Sequence, residues 1–223
     1  MPSALEISRQ AALLACSTDD VLAGAANLRK QIENVRLHGV TPVVAINAMP
    51  GDFPSEHAAI AEVAASLGVR CAAGTHFADG GRGATALAEA VAEAAAEPSE
   101  FAFLYPAEAP IREKIETIAT RVYGADGVDY APAAARQIDA YERSGFGGFP
   151  VCIAKTHLSL SGNPALKGAP TGWRLPVREA RASAGAGFIY PICGDMRTMP
   201  GLASHAAAER IDIDADGQVV GLA

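Results

Sequence analysis

Near the end of the chain, Asp212, Asp214, Asp216 and Gly217 stand at the spacing that opens an EF-hand calcium loop. The twelfth position of such a loop carries a bidentate glutamate, and here it is Ala223. Calcium binding is therefore rejected. The pair Asp216-Gly217 instead predicts a tight turn between the strands "RIDID" and "QVVGL". A second cluster, "ADGGRG" (Ala78 to Gly83), offers converging backbone N–H groups and the charge of Arg82 just before a predicted helix. That arrangement suits a small anion, though a glycine-rich turn between strand and helix is more often only a turn. Neither GxxxxGK[ST] nor GxGxxG occurs anywhere in the chain. The histidines are His38, His57, His76, His157 and His205, and no two fall at HxH or HxxxH spacing. No local metal site follows from them. His76, at a predicted strand end, is the best placed for chemistry, and no catalytic residue is assigned. Cys16, Cys71, Cys152 and Cys193 are isolated and form no CxxC pair. They read as reduced, buried thiols of a cytoplasmic protein.

The elements that must hold these residues alternate. A helix is predicted over 17–39, capped by Ser17 or Thr18 and ended by Gly39. "VTPVVAI" follows as a strand, then a helix capped by Ser55 and stopped by Gly68, then the strand "VRCAA". "GTHFADGGRG" reads as a glycine-rich loop before an alanine-rich helix. This order predicts a parallel α/β sheet, whose ligands sit beyond the C-terminal ends of the strands, here at "NAMPGD" and "GTHFADGGRG". Beyond Pro98, "FAFLY" is a further candidate strand. In "APIREKIETIATRVYG", Ile111, Ile115, Ile118 and Val122 fall at helical spacing. "AAARQIDAYERSG" is a helix and "FPVCIA" a strand. From Lys155 onward short β segments replace helices, with a soft boundary near residue 160. "VREARAS" alternates, placing Arg178 on one face and Glu179 and Arg181 on the other.

The chain has 223 residues, half of them hydrophobic, with a formal charge of −7 and a pI near 5.2. That allows one large domain or two small ones. With no basic cluster, nucleic acid and anionic membranes are poor partners. No apolar run reaches the roughly 20 residues of a membrane span. The opening residues lack the pattern of a signal peptide.

Several stretches, in order, resemble formate–tetrahydrofolate ligase, also called formyltetrahydrofolate synthetase. They are "NLRKQIENV", "PVVAIN", "HFADGGRGATALAEAV", "REKIETIATRVYGADGVDYAPAAARQIDAYERSGFG", "PVCIAKTHLSLSGNPALKGAPTGWRLPVREARASAGAGF" and, together, "TMPGL" and "AAERIDIDADGQVVGL". The resemblance covers about residues 20–223. It implies an ATP-dependent ligation with Mg²⁺. Formate takes the γ-phosphate to give formyl phosphate, and the N10 amine of tetrahydrofolate then accepts the formyl group. Family members are more than twice this long, and their Walker-type loop lies in an N-terminal half that has no counterpart here. The implied fold is α/β: a partial parallel sheet with flanking helices, like the end of a P-loop NTPase-like domain, then smaller α/β and β-rich domains. The expected boundaries are 1–100, 101–160 and 161–223. The resemblance places the pterin between Trp173 and Phe146, with Pro150 lining the slot, and puts Asn47, Gly80 and Gly81 on the ATP side. Lys155 and Thr156 lie in a matching motif with no assigned role. The implied partners are small-molecule substrates, an N-terminal-half chain and further copies in a homo-oligomer. The competing expectations are a folate-binding or regulatory module without catalysis, and an inactive truncated remnant.

Overall fold

The computed structural model describes residues 18–49, 51–194, 209–215 and 217–221. Ser17, Cys16, His205 and Asp216 lie outside them. Helix α1 (Thr18–Arg36) has Asp19 and Asp20 in its first turn and Arg36 in its last, each matched to the sign of the helix dipole. The chain turns at Gly39, where φ is +68° and any Cβ would strike the Glu100 carbonyl, so both conformation and space demand glycine. Strand β1 (Val43–Asn47) follows. Helix α2 (Pro54–Ser66) starts one residue before the expected Ser55 cap, because Pro54 has the φ of a first helical residue and no N–H to satisfy. Strand β2 (Arg70–Gly74) then pairs with β1 in parallel, from Val43↔Arg70 to Asn47↔Gly74. Ile32, Val44, Ala64 and Val69 form a first core between this pair and helices α1 and α2.

The glycine-rich stretch after β2 is not an open loop. It folds as a single helical turn α3 (His76–Asp79) and a 3-10 turn over Gly80–Ala84, leading into α4 (Thr85–Ala95). The Thr75 hydroxyl donates to the Asp79 carboxylate at 2.7 Å, and the Thr75 N–H donates to the Gly83 carbonyl at 2.9 Å. These two bonds pull the segment into turns.

A second core is built from α5 (Ile111–Thr117), β3 (Val128–Tyr130), α6 (Pro132–Arg143), β4 (Leu175–Val177), β5 (Glu179–Ser183) and β6 (Phe188–Ile192). β3 pairs with β4 in parallel, and β5 with β6 antiparallel. Its buried set runs from Ile111 to Cys193, so this core crosses the expected boundary at 160/161. α5 continues as a wider π turn over Ile118–Val122. The extra residue rotates the inward face: Ile111, Ile115 and Ala119 are buried, whereas Ile118 and Val122 line a cavity wall. "FAFLY" forms no strand. Phe101 stacks on His38 with ring centres 5.9 Å apart, and Phe103 stays exposed. "FPVCIA" contributes only two bridges, Val151↔Ile189 and Ala154↔Ile192. The alternation expected in "VREARAS" breaks at Arg178, between β4 and β5. Val177 and Ala180 are both buried, Arg178 is exposed, and Arg181 pairs with Glu179 on the same strand at 3.2 Å.

The terminal strands β7 (Asp212–Ile213) and β8 (Val219–Val220) pair antiparallel, as the hairpin reading requires. No described helix is long and apolar enough to cross a membrane.

Candidate functional site

The parallel pair sets the geometry of the mouth above its C-terminal ends. Asn47 stands opposite Gly74, and the Ala48 N–H donates to the Gly74 carbonyl at 3.0 Å, so the loops leaving β1 and β2 start side by side. The first loop is pinned by Asp52. Its carboxylate accepts from the Met49 N–H at 2.9 Å and lies 3.0 Å from the His57 Nε2. The second is closed by the Thr75 bonds to Asp79 and Gly83. A Cβ at Gly83 would come within 2.6–2.7 Å of Thr75 atoms, which is why this turn tolerates only glycine there.

Two large apolar side chains project from these braced loops. Met49 is 43% exposed and Phe77 is 67% exposed. Neither loop needs them in the core, and both stand where an open α/β sheet places its ligand. Asn47 is exposed at the same strand end and lines a cavity of about 520 Å³ with Asp52, His57, Val44 and Ile46. Gly80 and Gly81 are exposed on the 3-10 turn, and Arg82 lines a smaller cleft with Thr75 and Asp79. The two strand-end loops thus carry an exposed aromatic ring, an exposed thioether, an amide and, in a separate cleft, a guanidinium. Groups of these kinds can stack on a flat heterocycle and bond its edges. Sequence reasoning found the two loops but not Met49 and Phe77. The signal was present, since each follows a predicted strand by three or four residues, where a bulky apolar side chain has no core to enter.

The residues expected around the pterin lie on or beside the second core. Trp173 packs partly buried against the second core, and its Nε1–H donates to the Pro170 carbonyl at 2.9 Å. Phe146 packs against the same core and stacks on Phe149, with ring centres 5.0 Å apart and planes 7° from parallel. One of its faces is already covered. Pro150 is exposed and lines a cavity of about 570 Å³ with Phe103, Tyr105 and Tyr123.

Among the described cysteines, the expectation of buried thiols holds for Cys193 alone. Burial pushes its thiol up to about 12, and Lys155 nearby opposes this weakly. Cys71 is half-buried and Cys152 exposed. Among the described residues, no group of three His, Cys, Asp or Glu side chains could hold a metal ion.

Comparison with known proteins shows what the chain is similar to. Residues 6–223 match the model of the family described as formate–tetrahydrofolate ligase. The chain is 69% identical over 210 residues to the formate–tetrahydrofolate ligase of Saccharopolyspora erythraea, covering 94% of this chain and 37% of that enzyme. It is 61% identical over 219 residues to formate–tetrahydrofolate ligase 3 of Rubrobacter xylanophilus, covering 94% of this chain and 38% of the relative. With the ligase of Cutibacterium acnes it shares 59% identity over 211 residues, covering 95% and 38%. The chain therefore spans a little over a third of the length of the curated relatives it matches.

Proposed function

We propose that this chain, which belongs to the formate–tetrahydrofolate ligase family of one-carbon metabolism, forms the folate-accepting part of an ATP-driven formate–tetrahydrofolate ligase. The observation that carries the reading is the pairing of Met49 and Phe77 on braced loops at adjacent parallel strand ends. A pterin is flat and gains most from an aromatic face on one side and a polarisable side chain on the other. Phe77 supplies the face, Met49 closes over the ring, and the Asn47 amide bonds its polar edge. The Gly80–Ala84 turn and Arg82 form the rim toward the nucleotide, with Gly80 and Gly81 leaving room for a close approach. Bound Mg²⁺ would neutralise phosphate oxygens. Such an ion would be held chiefly by the phosphate oxygens of ATP.

The remaining machinery is assigned to the family length that this chain does not match. GxxxxGK[ST] is absent from the sequence, so the phosphate clamp comes from another polypeptide segment. The surface that would receive it is the free edge of β1. A parallel strand is ordinarily flanked on both sides and covered on both faces. Here β2 pairs with one side of β1, and no other described strand pairs with it. Apolar grooves run along it on both faces, one lined by Leu28, Val44 and Ile60, the other by Val35, Val43 and Val91. The occupant proposed is a parallel apolar strand from that remaining segment. Co-expression of the two parts is expected to give a 1:1 complex that forms 10-formyltetrahydrofolate from ATP, formate and tetrahydrofolate. A chain that stays free of the added segment, with no product formed, would overturn the partner reading.

The alternative placement of the pterin, between Trp173 and Phe146, rests on the resemblance. The geometry gives it less support, because both rings already pack on the core and Phe149 covers one face of Phe146.

A further inference from the structure

His57 stands in the first turn of α2, beside the loop that carries Met49, and makes none of the ligand contacts assigned above. That loop is closed on itself. The Asp52 N–H donates to the Met49 carbonyl at 3.1 Å, and the Met49 N–H donates to Asp52 Oδ2 at 2.9 Å. The same oxygen lies 3.0 Å from His57 Nε2. An ionised carboxylate only accepts, so Nε2 is the nitrogen that carries the proton and donates. One oxygen thus joins the backbone of the loop to a side chain of the helix.

The loop has a point of freedom that this bond opposes. Gly51, between Met49 and Asp52, has φ +107°, a conformation that suits glycine and that leaves the backbone free to move on either side. The second strand-end loop is braced differently. There the Thr75 N–H and hydroxyl bond to Gly83 and Asp79 within the turn itself. The loop after β1 gains its tie from α2, and His57 supplies it.

Charge points the same way. The titratable groups lining the cavity under this loop are Asp52, Glu56 and His57, with no Lys or Arg among the described residues there. Without the imidazole, Asp52 would share the cavity wall with a second carboxylate and lose a donor. The Asp52 and His57 side chains are 35% and 25% exposed, so water competes for the bond and its share in global stability is small. Its effect is local. Met49 carries a flexible thioether, and a ligand that closes it down must order both side chain and backbone. A backbone already held makes that ordering less costly.

We propose that His57 is a positioning residue, which acts through Asp52 to fix the backbone of Met49 and so sets how tightly the loop closes on a flat ligand. The last step rests on the function proposed above. The tie to the Met49 backbone does not.

The test compares the full chain with His57→Leu and His57→Gln. Glutamine places an amide N–H about where the imidazole Nε2 stands, whereas leucine offers no donor. In His57→Leu the Met49 amide, followed by NMR at one fixed pH, is expected to exchange about five- to ten-fold faster. Tetrahydrofolate should bind that variant about three- to ten-fold more weakly, the range of one hydrogen bond to a charged group. His57→Gln should restore both quantities to within about two-fold of the parent. Melting temperatures should stay within about two degrees throughout. Unchanged Met49 exchange in His57→Leu, or a His57→Gln that behaves like His57→Leu, would overturn the tie. A large fall in melting temperature shared by both variants would assign His57 to fold stability and overturn it as well. Faster exchange with unchanged affinity would overturn the link from the tie to ligand closure. If the parent binds no tetrahydrofolate while Met49 exchange responds as stated, the tie stands and the function proposed above falls.

Discussion

Phe77→Ala is expected to weaken tetrahydrofolate binding about ten- to a hundred-fold while leaving the melting temperature within a degree or two of the parent. The affinity loss follows from removing a stacking face and the apolar area a pterin would bury on it, together about 1.5–3 kcal/mol. The unchanged stability follows from place. Phe77 is two-thirds exposed on a one-turn helix that is held by Thr75, Asp79 and Gly83 rather than by its own ring. Met49→Ala should act in the same direction and more weakly, because a thioether contributes less contact than a ring. Trp173→Phe separates the two placements of the ligand. It should reduce stability, since it removes a bonded N–H and core contact, and should leave affinity nearly unchanged. Isothermal titration and thermal melts on the same preparations read both effects. A large affinity loss in Trp173→Phe with none in Phe77→Ala would reverse the assignment.

The second large effect concerns Lys114, which is fully buried in the second core. Its Nζ donates to the carbonyls of Gly147 at 2.6 Å and Phe149 at 3.0 Å, pinning the loop after α6. Glu142 caps α5 from the same loop base, accepting from the Ile111 N–H at 2.6 Å. Lys114→Ala would strand both carbonyls and open a cavity, for a loss of about 4 kcal/mol. Lys114→Met keeps most of the volume and should lose about 2 kcal/mol, so the difference separates packing from bonding. In a domain of this size those losses lower the melting temperature by roughly 8–16 °C and 4–8 °C. The pH response has a definite sign. Burial holds the Lys114 ammonium below its ordinary 10.5, against the opposing pull of Glu142 and Glu108. Over that window the unfolded chain binds the proton that the folded chain has released, so this group makes stability rise as pH climbs toward 10.5. Lys155 is shifted in the same sense, so Lys114→Met should reduce that rise rather than abolish it.

These two residues mark the limits of what the sequence alone conveys. Helix and strand order around the first core follows from short-range rules: the acidic first turn of α1, the glycine stops at 39 and 68, and the β-branched run of β1 all appear where expected. The "FAFLY" segment fails because strand character needs a partner, and none of the described strands lies beside it. The helix after Pro110 follows its apolar spacing for two turns and then departs, since a π turn costs one residue of phase that no local pattern announces. Lys114 could not be read as buried from composition, because the two carbonyls that compensate it come from a loop 33 and 35 residues away. The loops bearing the mouth were found from the strand-end rule. Phe77 and Met49 are not legible there, because an apolar side chain in a loop reads equally well as a core contact until its exposure is known. The tryptophan proved to be bonded to its own turn, to the Pro170 carbonyl.

Hydrogen–deuterium exchange of the full chain with and without tetrahydrofolate tests the central claim without any substitution. The account predicts new protection in the backbone amides of residues 47–52 and 75–83, at the ends of β1 and β2. Protection confined to residues 146–150 and 168–174, with the strand-end loops exchanging as before, would contradict it.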